Sequence, residues 1–279
     1  MPIHDQGYRR YQGTRAPEGR AWAVITSTGV RTLLRRRAFA ALLLLSWIPF
    51  VVRAVQIYFS SNLPQGGGLA PTPKMFLDFL GQQDTFVFFI AVWAGSGLVA
   101  NDRRANALQI YLSKPLTRAE YIVGKLATLM VFLLMVTWVP ALALLLVQIL
   151  FAGNFAFLLD NLHLLPAITL ATVVQALTVS SAMLALSSLS NSSRYVGVLY
   201  AGLMFFSQAL YGVVFVVTRD TSWAWISLPG NLSQISALIF RLPPQYSTPW
   251  FVSALVIVAI IGGSAVVLNR RVQGVEVIV

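Results

Sequence analysis

A chain of 279 residues in which 57% are hydrophobic and 10% are charged, with a mean hydropathy of +0.73, lies outside the range of soluble domains and inside that of polytopic membrane proteins. The formal charge of +11 does not mark a nucleic-acid binder, because the basic residues fall between apolar runs and are not gathered on one soluble face. The absence of cysteine excludes disulfides, thiolate metal sites and cysteine nucleophiles.

Residues 1–17 read as a basic tail, and residues 18–279 as one transmembrane domain. From Glu18 to Arg37, the residues Trp22, Ile25, Gly29 and Leu33 recur at spacings of three and four among Arg20, Arg31 and Arg35. That pattern predicts an amphipathic elbow helix on the inner leaflet, feeding the first span. About 37 polar, Arg-rich residues precede the first apolar run, far more than the n-region of a signal peptide, so the run is expected to remain as an anchor.

Crossing a hydrocarbon core of about 30 Å takes about 20 apolar residues in a helix. Six stretches qualify: Ala38 to Tyr58, Phe79 to Ala100, Leu126 to Phe151, Leu164 to Leu189, Tyr195 to Val217 and Trp250 to Leu268. Backbone groups in lipid must be satisfied within a segment, and alternating-strand patterns are absent, so the fold class is all-α with six transmembrane helices. The Lys and Arg residues orient them. With both termini in the cytoplasm, only Arg53, Lys74, Arg219 and Arg241 fall on the outer side. Outside, Asn62 to Pro73 carries Gly66, Gly67 and Gly68 and reads as a flexible loop. Asn231 to Phe240 is too short to span, lies between Pro229 and Pro243, and predicts a short outer or re-entrant helix before the last span.

Arg53 and Asp84 are the charges well inside the spans. Antiparallel spans put them at similar depth, which predicts a pair near the outer interface; Arg53 snorkelling alone and Asp84 marking a helix start is the competing reading. The fourth span is rich in small and hydroxylated residues, including Ser180, Ser181, Ser187 and Ser188, which suits close packing. Gln175 in that span and Gln208 in the fifth read as interhelical amides, with lining of a path as the other reading. His4 and His163 have no ligand-like spacing, and neither an HExxH motif nor a paired-carboxylate set occurs in the spans. A GxxxxGK[ST] phosphate loop is missing as well: Gly124 and Lys125 are followed by Leu126. No catalytic site, metal or cofactor is therefore expected in this chain, and a nucleotide that drives it is bound by another chain.

The most charged internal segment, NDRRANALQIYLSKPLTR, joins the second and third spans. Asp102, Arg103 and Arg104 mark the exit of the second span, and Ala105, Leu108, Tyr111 and Leu112 share one helical face. Pro115 stops that helix, and Thr117 with Glu120 forms a capping box that opens the next. The segment reads either as an interfacial connection or as a docking element that carries force from a cytoplasmic partner.

The stretch GLVANDRRANALQIYLSKPLTRAEYIVGKL, Gly97 to Leu126, resembles the loop of type-two ABC exporter permeases: an acidic-Arg exit, an Ala-Leu turn, a Ser-x-Pro-x-Thr-Arg stop and a Tyr-x-x-Gly-Lys entry. LNRRVQGVEVIV, Leu268 to Val279, resembles the basic end of that family. The resemblance implies a permease of the bacterial inner membrane that pairs with a second copy or a paralogue and with separate ATPase subunits holding ATP and Mg. It places a coupling helix at Asp102 to Leu112, with Leu108 and Tyr111 as apolar anchors and Arg103 and Arg104 as charged contacts. The substrate path would lie at the dimer interface, formed by the first, second and fifth spans. Tyr200, Phe205, Phe206 and Tyr211 are candidate lining or interface aromatics there, with lipid-facing or packing roles as the competing reading of each. A periplasmic or accessory protein meeting Thr218 to Pro249 is a further expectation. A membrane-anchoring or regulatory subunit, recruiting a cytoplasmic protein without transport, is the alternative.

Overall fold

A computed structural model describes residues 21–62, 72–107, 117–152 and 156–272. Among these the chain is helical and contains no strand. The tail at 1–17, the triple glycine at Gly66 to Gly68 and most of the basic end lie outside the described residues, as do Leu108, Tyr111, Leu112 and Pro115.

Helix α1, Ala21–Leu34, lies within the segment expected to be amphipathic. It turns through Arg35 and Arg36 into α2, Arg37–Leu45, which with α3, Ile48–Asn62, makes the first apolar span. The break between them has a local cause. Pro49 has no N–H for the carbonyl one turn earlier, and the helix loosens at Ser46 and Trp47. Ser46 returns its hydroxyl to the Leu43 carbonyl at 2.6 Å, and its own carbonyl accepts from Gln83 Nε2 of the second span at 3.1 Å.

The second span is α4, Pro73–Ile90, a π-helical segment at Ala91–Gly95, and α5, Gly97–Arg104. Thr72 caps α4 by accepting from the Met75 N–H, with Pro73 at the first helical position where its missing N–H costs nothing. The third span is α6, Arg118–Val136, and α7, Trp138–Ala152, separated at Thr137 three residues before Pro140. A short helix α8, Ala156–Asp160, leads to α9, Leu164–Leu189, the fourth span. Helix α10, Ser193–Thr218, is the fifth. A 3-10 turn at Thr221–Ile226 and helix α11, Leu228–Ile239, precede the last span, α12, Trp250–Arg271. Among the described residues six apolar helices are long enough to cross a membrane, and each contains one of the six runs of the sequence, some extending beyond it by several residues.

Helix α9 is the centre. It packs against α5, α6, α10, α11 and α12, and its small side chains are what let so many neighbours approach. One core gathers at the end that carries α1, around Phe39, Phe132, Met183 and Tyr200. Phe39 and Phe132 meet edge to face with centroids 4.9 Å apart. A second core gathers at the opposite end, around Ile57, Phe76, Phe79, Leu144 and Phe240. Helix α11 belongs to that end. It is held there by Gln234, whose Nε2 donates to the carbonyls of Tyr246 and Thr248 at 3.2 and 2.8 Å.

Candidate functional site

Residues Asp102, Arg103 and Arg104, expected in a helix of the loop, form the last turn of α5 and so continue the second span. Asn106 ends that helix. Its φ of 51° is left-handed, and asparagine tolerates that conformation better than most residues. The helix that carries the three charged residues therefore ends before Asn106, and the rest of the expected helix, from Leu108 to Leu112, lies outside the described residues.

Each charged residue has its own environment. Asp102 Oδ2 accepts from the Tyr121 hydroxyl at 2.7 Å and pairs with Lys125 Nζ at 2.6 Å, tying α5 to α6. The same ammonium lies 5.5 Å from the Tyr121 ring centroid. Arg103 points inward, where Nη1 donates to the Ser188 carbonyl at the end of α9. Arg104 is exposed and forms no ion pair among the described residues. Arg103 and Arg104, alike in the sequence, are therefore an internal tie and an outward charge.

Behind that turn, Ser187 of α9 acts as a bracket. Its hydroxyl accepts from the Val99 and Ala100 N–H groups at 3.1 and 3.0 Å and donates to the Ser96 carbonyl at 2.8 Å. The π-helical turn shifts the backbone ladder at this point, and the bracket satisfies groups left without their usual partners. In the sequence Ser187 is one of many small hydroxylated residues of its span, as suits close packing. Nothing local marks it, because its partners lie nearly ninety positions away.

On the far side of the loop the capping box is present as expected. Thr117 Oγ1 accepts from the Glu120 N–H at 3.2 Å and Glu120 Oε2 accepts from the Thr117 N–H at 3.0 Å. Helix α1 seats directly on α6 beyond it. A β-carbon at Gly124 would lie 2.8 Å from Ile25 Cβ and 3.0 Å from the Trp22 carbonyl oxygen, and Thr26 Oγ1 donates to the Gly124 carbonyl at 3.1 Å. The two ends of the loop thus rise from a single block made of α1, α5, α6 and the end of α9.

The predicted pair of Arg53 and Asp84 is not formed. Arg53 Nη1 donates to Gln56 one turn along α3, at 2.8 Å, and Asp84 Oδ1 accepts from Gln175 Nε2 of α9. Equal depth fixes height but not rotation about the helix axis, and here the two side chains leave their helices in different directions. Gln208 accepts from the Ser227 hydroxyl. Both glutamines are thus the interhelical amides that the sequence suggested. Of the four aromatics singled out in the fifth span, Tyr200 and Tyr211 are buried, whereas Phe205 and Phe206 are exposed.

Among the described residues no group of His, Cys, Asp or Glu is arranged to hold a metal ion. The profile of the family described as ABC-2 family transporter protein matches residues 23–255. That range runs from the first turn of α1 into the last span and includes the whole loop between α5 and α6. No curated protein matches the chain.

Proposed function

Because the chain belongs to the ABC-2 transporter family, with six helices able to cross a membrane, it is a permease subunit of an ABC transporter, and we propose that it works as the membrane part of an ATP-driven exporter. ATP and Mg are held by partner ATPase subunits, and the loop between α5 and α6 seats on one of them. Leu108, Tyr111 and Leu112 supply the apolar contact, Arg104 the outward charge, and Pro115 the break that separates the docking helix from α6. Both termini face the cytoplasm of a bacterial inner membrane, α1 serves as the elbow helix, and a second permease copy or a paralogue completes the path.

The observation that carries this reading is the tying of the loop's roots. Asp102 to Tyr121 and Lys125, Arg103 to Ser188, and Ser187 to Val99 and Ala100 join the second, third and fourth spans at one level. A displacement applied at the loop is then shared by three spans and not absorbed by a soft hinge. The reading is tested by affinity purification of the detergent-solubilised full chain from its own membrane, with identification of the accompanying chains. An ATPase with a phosphate-binding loop is expected with the native protein and is lost when Leu108 and Tyr111 are both changed to Asp. If no ATPase accompanies the native chain under mild extraction, the exporter reading fails.

A further inference from the structure

Asp84 has lost the partner that the sequence proposed for it and gained only a neutral one. The apolar run of the second span begins at Phe79, so Asp84 lies roughly 8 Å along the helix from its outer end. Gln175 covers Oδ1. Among the described residues no Lys or Arg forms an ion pair with Asp84; the ion pair present is Lys125 with Asp102, at the opposite end of the span. A carboxylate inside a membrane span is costly unless something neutralises it, and such residues mark paths and ligand sites.

The carboxylate borders a cavity. Its volume is about 480 Å³, within the range of sites for drug-sized molecules. Asp84, Phe88, Phe89, Phe205, Gln208 and Tyr246 line it, drawn from α4, α10 and the segment before the last span. Phe88 and Phe205 meet at 5.2 Å between centroids with planes at 63°, so the aromatic groups form a connected wall. Phe89 and Phe205 are also exposed, so the cavity reaches the surface of the span bundle.

We propose that this cavity binds amphipathic organic cations, with Asp84 as the counter-charge and the Phe88, Phe89, Phe205 and Tyr246 rings as the wall for the apolar body. The proposal rests on the permease reading for its role in transport, and names the class of substrate. Aromatic faces attract a cation through their quadrupoles, and the carboxylate supplies the net charge. A small inorganic cation fits this lining poorly, because hard cations take six or more oxygen ligands and Asp84 is the one carboxylate among the lining residues. An anionic or neutral occupant would leave the carboxylate without compensation.

The experiment uses two rigid probes of matched shape and opposite charge, tetraphenylphosphonium and tetraphenylborate. Equilibrium binding of each is measured on the full chain in nanodiscs of zwitterionic phosphatidylcholine. The phosphonium is expected to bind, and the borate to bind at least roughly tenfold more weakly. Asp84→Asn should weaken phosphonium binding by roughly tenfold or more while keeping an oxygen for Gln175 and hence the melting temperature. Asp84→Glu should retain binding, Phe205→Ala should weaken it, and Asp160→Asn, which changes an acid outside the cavity, should leave it unchanged. Equal binding of the two probes, or unchanged phosphonium binding in a folded Asp84→Asn chain, overturns the proposal. Retention of the ATPase is read on the same preparations. Phosphonium binding without an ATPase upholds the site and overturns the permease mechanism, whereas an ATPase with no phosphonium binding does the reverse.

Discussion

Gly124 and Gly29 determine how closely α1 lies on α6, and they are not equivalent. A β-carbon at Gly29 would meet only side-chain atoms of Thr128, whereas one at Gly124 would meet the Ile25 β-carbon and the Trp22 backbone. Gly124→Val is therefore expected to push α1 off α6 and cost about 1–3 kcal/mol, the usual range for overpacking. Gly262→Ala is the control: nothing lies within 4 Å of the position its β-carbon would take. Thermal unfolding of the two variants in detergent checks this, with a lowered melting temperature expected only for Gly124→Val. The paired arginines separate in the same manner. Arg103→Gln removes the tie to Ser188 and should lower the melting temperature; Arg104→Gln should leave it unchanged and weaken capture of the ATPase. The opposite assignment, with Arg103→Gln stable and defective in capture, would show that the inward-facing arginine is the docking residue.

At the scale of the element, the second span is three pieces held in register by a neighbour. Ser187→Ala removes an acceptor shared by two buried N–H groups and a donor to the Ser96 carbonyl, a loss of about 1–3 kcal/mol for buried groups left unpaired. The effect should be local, with faster hydrogen exchange at Val99 and Ala100 and little change at the α11 end. Uniformly faster exchange would mean that the serine supports the whole bundle. The contrast between Ser187 and Thr117 shows what could be read from the sequence. Thr117 and Glu120 are three residues apart, so their capping box is legible as a string, and each span is legible because its length and apolarity are properties of one segment. Ser187 with Val99, Gln175 with Asp84 and Gln83 with Ser46 join different spans. Their pairing depends on the rotation of each helix about its axis, which the apolar pattern leaves loosely defined when the whole circumference is apolar. The same freedom defeated the Arg53 and Asp84 pair. The π-helical turn adds a further shift of face for the residues after Ala91, Val99 and Ala100 among them.

The whole molecule is uneven in how it covers its spans. In the most apolar window of the fourth span 67% of residues are buried within the chain, against 6% for the fifth. One is the axis of the bundle and the other its edge. Helix α10 presents Phe205, Phe206, Val213, Val216 and Val217 outward, and also helps to wall the cavity that holds Asp84. Lipid would cover such a face, but so would a second permease, and the second alternative places two aromatic cavities near one axis. The chain contains no cysteine, so single cysteines report contacts without background. Phe206→Cys and Val213→Cys on α10 are expected to give a cross-linked dimer in native membranes, while Val179→Cys on the buried face of α9 is not. If the α10 cysteines link this chain to a different membrane protein, the complex is a heterodimer with a paralogue; if they remain monomeric where the ATPase is captured, α10 faces lipid and the two permeases meet on another span.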